Sequence, residues 1–208
     1  MNNTLEYIAK KYSLDLSPKP PICIVQTGRD DMARTLAELG FTIGAEIGVA
    51  QGIHSQILCE AIPNLHLYCI DVWEPYYGYN EYQDRITLYH KEALARLESY
   101  NCTFIKQMSM HAVQEFENGE LDFVYIDGAH DFQNVVNDLC EWSKKVRIGG
   151  IVYGHDYNRK HDKYIVEVKD AVQAFCYTKG IHPWFILDIP SRLGGESWMY
   201  VRQETDWL

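Results

Sequence analysis

No apolar run in this 208-residue chain approaches the roughly 18 residues that a membrane-spanning helix needs. The opening MNNTLEYIAKKYSLDL is polar and amphipathic, without the charged-then-apolar order of a secretory signal. Basic runs are also missing. None exceeds the pairs Lys10-Lys11, Lys144-Lys145 and Arg159-Lys160, and the formal net charge is −10. Tracking a phosphate backbone takes a basic face, so nucleic acid is not an expected partner. Six cysteines are present (Cys23, Cys59, Cys69, Cys102, Cys140 and Cys176), but no two have zinc-knuckle spacing. Cys59, Cys69, Cys102 and Cys176 lie in apolar segments, which suits small buried hydrophobes in a reducing, cytoplasmic compartment. Internal repeats and low-complexity segments are absent as well.

What the chain does have is apolar content. At 47% hydrophobic and 13% aromatic, it can bury the core of one ordinary domain. SPKPP at 17–21 is a stiff, extended break after an N-terminal helical piece. DDMARTLAEL at 30–39 reads as an amphipathic helix with acids at its start and Gly40 at its stop. Residues 1–40 are therefore expected as a helical segment or lid, and 41–208 as the main domain.

From Gly40 onward strand and helix patterns alternate. Strands are expected at 42–49, 65–71, 102–107, 121–127 and 149–156. Helices are expected at 53–61, 81–100, 109–116, 132–146 and 163–180. Such alternation implies right-handed crossovers and a sheet covered on both faces. The last two strands, 183–189 and 196–202, are joined by a link too short for a helix, so they form a hairpin. The expected fold class is α/β: a Rossmann-like, doubly wound sheet of seven strands with a terminal antiparallel hairpin and helices on both faces.

EIGVAQG at 46–52 ends the strand at 42–49 and opens a helix. Glycines at such a turn let the backbone approach a ligand, and the helix start offers free N–H groups. Asp71 ends the next strand, where a carboxylate can accept both hydrogens of a ribose diol. A dinucleotide site would want G-x-G-x-x-G, which is absent here. Glu46 would also oppose a pyrophosphate. It suits a ligand with a cationic amino or sulfonium group, as in S-adenosylmethionine.

On these residues the chain resembles the class I S-adenosylmethionine-dependent methyltransferases. Glu46, Gly48 and Gly52 match the family's E-x-G-x-G-x-G, with Ala50 in place of the middle glycine. Asp71 matches the acid after the second strand of the family's fold. Ser109 falls at the position beside the adenine, although it also suits a helix N-cap. The resemblance spans about residues 40–203. It implies Glu46, Gly48, Gly52, Asp71, Ser109 and Asp127 as cofactor contacts.

The remaining chemistry is expected at the next two strand ends, in FVYIDGAHDF (123–132) and GGIVYGHDY (149–157). Asp127 and Asp156 end adjacent strands and would repel each other without a cation between them. Mg²⁺ or another divalent cation would serve, with Asp127 and Asp156 as ligands. Within the family the pattern resembles metal-dependent O-methyltransferases of macrolide sugars, but His155 stands where that subgroup has an acid. An imidazole there favours softer ions than Mg²⁺. Asp127, His130 and His155 are the candidate catalytic residues, with either histidine able to take the proton of an acceptor hydroxyl. Asp131 is read as a helix cap. WEPYYGYNEY at 73–82 is either a packed loop edge or an aromatic wall over the ligands.

The resemblance thus implies methyl transfer to a small-molecule acceptor, with a hydroxyl on a sugar, natural product or surface glycan favoured. Self-association into a homo-oligomer is compatible with this. Two other readings share the fold: a module that binds S-adenosylmethionine or a nucleotide without chemistry, and a related hydroxylase-like enzyme.

Overall fold

The computed structural model describes residues 3–75, 85–161, 165–190 and 195–207. Its helices are α1 (Asn3–Lys11), α2 (Arg29–Glu38), α3 (Ile53–Ala61), α4 (Ile86–Leu97), α5 (Ser109–Ala112), α6 (Phe132–Lys145) and α7 (Val168–Thr178). Its strands are β1 (Ile22–Ile24), β2 (Ile43–Ile47), β3 (His66–Asp71), β4 (Cys102–Lys106), β5 (Leu121–Ile126), β6 (Val146–Gly154), β7 (Trp184–Leu187) and β8 (Ser197–Val201).

Among the described residues these strands form one mixed sheet in the order β1-β7-β8-β6-β5-β2-β3-β4. The doubly wound α/β class and the terminal β7–β8 hairpin are as expected, with β8 antiparallel to both of its neighbours. The strand count is not. Eight strands are present instead of seven, because Ile22–Ile24 pairs in parallel with β7. Three residues are too few to show a period of two, so this edge strand is made by its partner and not by local pattern. The N-terminal forty residues therefore contribute a strand as well as helices.

Other differences lie at element ends. The helix expected over 109–116 is one α-turn, Ser109–Ala112, followed by a 3-10 turn, Val113–Glu115. The helix expected from 163 begins at Val168. Part of its expected start (163–164), and residues 81–84 of the helix expected over 81–100, lie outside the described residues.

The central strands are buried on both faces, and their alternate side chains feed two cores. On β5, Phe123 and Tyr125 join the core under α1, α2 and α3. Val124 and Ile126 join the core under α6 and α7, which also holds Trp142, Trp184 and Trp198. Each fully buried Leu or Phe in these layers stabilises by about 1.5–3 kcal/mol relative to exposure. The N-terminal helix is tied on by Thr4, whose hydroxyl donates to the Gly149 carbonyl at 2.7 Å. Tyr12, just past the end of α1, and Thr35 on α2 share a hydroxyl–hydroxyl contact of 2.7 Å.

Strands β3, β2, β5 and β6 are parallel neighbours. Their carboxyl ends therefore lie side by side along one edge. In open α/β sheets that edge is where ligands bind. It brings Asp71, the 48–52 turn, Asp127 and the His155-Asp156 pair into one row.

Candidate active site

A pocket of about 360 Å³ lies along this edge. One end is built by the turn after β2. Gly48 has φ +89°, and a Cβ there would sit 2.1 Å from the Asp127 carbonyl oxygen. Only glycine permits that close approach between the β2 and β5 ends. Ala50, the substituted middle position, also has a positive φ of +48°. An L-residue in that region costs about 1–2 kcal/mol. A50G is accordingly expected to raise the thermal midpoint by about 2–4 °C, measured by calorimetry.

Asp71 stitches the turn in place. Its carboxylate accepts from the backbone N–H of Ala50 at 2.8 Å and of Trp73 at 3.0 Å. The Trp73 indole donates to the Ala50 carbonyl at 2.8 Å, and the ring is fully buried against His90. Trp73 is thus a strut under the turn and not a ligand wall. Residues 76–82 of that aromatic stretch lie outside the described residues. Burial pushes the Asp71 carboxyl up, and the backbone donors oppose the shift.

Glu46 lies beneath the turn and is 2% exposed. It accepts a hydrogen bond of 2.5 Å from the Ser55 hydroxyl. Burial pushes its carboxyl up to about 8, against the opposing pull of Ser55. Near neutral pH the group holds its proton, and a cation placed beside it would release that proton.

Gln107, Met108, Ser109 and Met110 line the pocket after β4. Met108, not Ser109, occupies the N-cap of α5. The Ser109 hydroxyl turns inward, donating to buried Asp138 and accepting from the Trp142 indole at 2.8 Å. Burial raises the Asp138 carboxyl to about 7.

At the other end the two His/Asp pairs meet. His130 Nε2 lies 3.0 Å from Asp156 Oδ2 and 3.7 Å from Asp127 Oδ1. His155 Nδ1 lies 2.7 Å from Asp156 Oδ1. One carboxylate, Asp156, therefore serves both histidines, and Arg159 donates to it as well at 2.7 Å. Burial alone would raise the Asp156 carboxyl, but the hydrogen bonds from His130 and His155 outweigh it and hold the group well below the usual range. Its backbone has φ +59°, a conformation in which a non-glycine residue at a site stores strain. The neighbouring backbone is fixed: the His155 N–H donates to the Ile126 carbonyl at 3.2 Å, and the Trp198 indole donates to the His155 carbonyl at 3.2 Å.

Asp127 has its own cation. Arg29, at the start of α2, donates to Asp127 at 3.3 Å and to the Tyr125 hydroxyl at 3.0 Å. Tyr125 in turn donates to Asp127 at 3.2 Å. The repulsion expected between Asp127 and Asp156 is thus relieved within the chain by Arg29, Arg159 and the histidines. The donor set still fits a metal ion: one ligand atom each from Asp127, His130 and Asp156 lie within 4.8 Å of one another. Two carboxylates and an imidazole suit Mn²⁺, Fe²⁺ or Zn²⁺ better than Mg²⁺.

All the expected site residues, Glu46, Gly48, Asp71, Ser109, Asp127, His130, His155 and Asp156, line this pocket, and Gly52 caps the helix that leads from it. Asp131 caps α6, accepting from the Asn134 N–H at 3.2 Å. Sequence reasoning missed Arg29, Tyr125, Asp138 and Arg159. Only Asp138 had a signal, as a lone acid on the apolar side of an amphipathic helix.

Comparison with known proteins follows the same lines. No helix among the described residues is long and apolar enough to cross a membrane. No curated protein matches the chain in sequence. Several solved structures share its fold. The cofactor-bound Rv0187 from MTB superposes with a TM-score of 0.63 at 15% identity, covering 98% of this chain and 92% of that one. The O-methyltransferase from Bacillus cereus, solved in complex with SAH, gives 0.62 at 15% identity, with 97% and 92% covered. The O-methyltransferase TomG from Streptomyces achromogenes, solved with SAM, gives 0.62 at 16% identity, with 97% and 91% covered. A family profile described as a methyltransferase domain matches residues 45–157. That span runs from the middle of β2 to just past Asp156, so it contains the whole row of strand ends. The chain belongs to this methyltransferase-domain family.

Proposed function

We propose that the protein transfers a methyl group from S-adenosylmethionine to a hydroxyl of a small-molecule acceptor. The observation that carries this reading is the division of one pocket: a glycine turn with Glu46 and Asp71 at one end, and a His/carboxylate cluster at the other. The first end has groups for each part of the donor. Asp71 suits the ribose diol, Ser109 and Asp138 flank the adenine position, and Glu46 suits the α-amino cation. The methyl-bearing sulfur would then face Asp127. Structures of the same fold include O-methyltransferases bound to SAM or SAH, which supports the choice of donor and of oxygen as acceptor.

The reaction is an in-line displacement. The acceptor oxygen forms a bond to the methyl carbon as the sulfur–methyl bond breaks, and the electron pair stays on sulfur. S-adenosylhomocysteine is the product. The protein must align the two atoms and receive the hydroxyl proton. His155 is assigned that proton. With Nδ1 donating to Asp156, its Nε2 is the ring acceptor, and Nε2 is buried in the pocket wall without a hydrogen-bond partner. The adjacent carboxylate stabilises the imidazolium that forms. His130 is assigned to hold Asp127 and Asp156 in place. A divalent cation bound there would be held by Asp127, His130 and Asp156 and would lower the pKa of the acceptor hydroxyl. Residues 1–40 are assigned a lid-like role through Arg29, which reaches the pocket from α2. The six free cysteines suit a cytoplasmic location.

A screen of sugars, glycolipid headgroups and phenols with labelled S-adenosylmethionine, run with and without chelator, tests the reading. A labelled ether product is expected from one acceptor class. Loss of turnover after chelation, restored by Mn²⁺ more than by Mg²⁺, is the expected cation result. Full turnover without metal would assign the two acids to orientation alone. On the acceptor so found, H155Q is expected to lose at least a hundredfold in kcat. H155Q activity within threefold of wild type would remove His155 from the proton step.

A further inference from the structure

Three of the six cysteines converge behind the pocket, where Cys69 pairs in register with Glu46. Cys59 is near the end of α3, Cys69 is on β3, and Cys102 opens β4. The sulfurs of Cys59 and Cys102 are 3.7 Å apart. Both residues are half-buried, whereas Cys69 is fully buried. The reading of buried cysteines in an apolar setting therefore holds for Cys69 and Cys176, while Cys59 and Cys102 pack against the apolar core but are only half-buried. They are in contact with each other and within reach of a small solute.

We propose that Cys59 and Cys102 form an oxidisable dithiol, a site of reversible modification by hydrogen peroxide or a related hydroperoxide. Geometry makes the pair, and the surroundings set its direction. Either sulfur of the Cys59–Cys102 contact can be the donor, and the contacts with Cys59 and Cys69 hold the Cys102 thiol below its ordinary range and the other two above theirs. Cys102 is then the thiolate, and the thiolate is the nucleophile. It attacks one peroxide oxygen. The O–O bond breaks, Cys102 becomes a sulfenic acid, and the departing hydroxide takes a proton to leave as water. The Cys59 sulfur next attacks Cys102. The S–S bond forms as the S–OH bond breaks, and a second water leaves with the Cys59 proton. Two thiols lose two electrons to one peroxide, and a dithiol reductant reverses the change.

The link would join α3 to β4 at the ends of these elements away from the ligand edge. It would close the chain between residues 59 and 102, a span that includes β3, Asp71 and α4. Closing so long a loop restricts the unfolded chain, so the oxidised protein is expected to melt at least about 5 °C higher than the reduced one.

The test is a thiol count and peptide map of the full chain after mild peroxide treatment. Two thiols should disappear together and return with dithiothreitol. Digestion at Lys and Arg puts Cys102 in the peptide 97–106, but it leaves Cys59 and Cys69 together in the peptide 35–85. The link is therefore also sought in C69S, where it should persist, and in C59S and C102S, where it should vanish. Alanine at 59 and 102 repeats the test should either serine variant fold poorly. Free thiols at 59 and 102 after exposed Cys23 has been oxidised would overturn the proposal. So would a Cys69–Cys102 link in the wild type.

Discussion

Asp156→Asn is expected to lower kcat by about a hundredfold to a thousandfold, with the affinity for S-adenosylhomocysteine changed by only a few-fold. Asp156 is the shared acceptor for His130, His155 and Arg159. The variant keeps the shape and removes the charge. His155 loses the carboxylate that fixes its tautomer and stabilises its charged form, and a cation held there would lose one of its two anionic ligands. Both losses fall on the reaction and not on the donor, which is expected to bind at the opposite end of the pocket. Steady-state kinetics at saturating donor, alongside calorimetric binding, separate the two effects. A variant with kcat within threefold of wild type would place Asp156 outside the chemistry. Some stability should be lost as well, because three donors lose a charged partner in a site where the carboxylate is 2% exposed. That contribution has a defined pH window. The folded Asp156 carboxyl is depressed, so its stabilisation is present above the ordinary carboxylate range and fades as pH falls toward the folded value.

The second large effect is a pH dependence of donor binding that belongs to Glu46. In the free protein this carboxyl keeps its proton up to about 8. A ligand that brings an α-amino cation to it should drive the proton off. The bound state then holds fewer protons than the free state, so affinity rises with pH and levels off above about 8. The slope can reach about tenfold per pH unit below that point. Titration of S-adenosylhomocysteine in buffers of different ionisation enthalpy should show proton release at pH 7. In E46Q the release and the slope should both disappear, and affinity should be lower. A wild-type affinity that is flat between pH 6 and 8 would mean that Glu46 does not meet the cation.

The sequence was most legible where local pattern decides structure. Strand–helix alternation gave the sheet class, and the short link between 183–189 and 196–202 gave the reversed β8. Asp131 was readable as a cap because N-cap chemistry is local. Strand ends carry the site, so placing Asp71, Asp127 and Asp156 in order along the chain was enough to place them in one pocket. What stayed hidden depends on distance along the chain. Arg29 reaches Asp127 from ninety-eight positions away, and nothing around it in RDDMARTLAE marks that contact. Three-residue β1 exists only through β7. The burial that shifts Glu46 and Asp138 is a property of packing. The meeting of both histidines on Asp156 follows from the β5–β6 register and from the left-handed backbone at Asp156. Nor did the isolated positions of Cys59 and Cys102 suggest that their sulfurs touch.

A donor seated between the 48–52 turn and Asp71 is the premise for every role proposed in this pocket. Its most direct test is calorimetric titration of S-adenosylhomocysteine into the wild type and into Asp71→Ala, with NAD as the control ligand. One site per chain in the wild type, at least a tenfold weaker site in the variant, and no heat with NAD is the expected result. A wild type that ignores S-adenosylhomocysteine, or that binds NAD in its place, would contradict it.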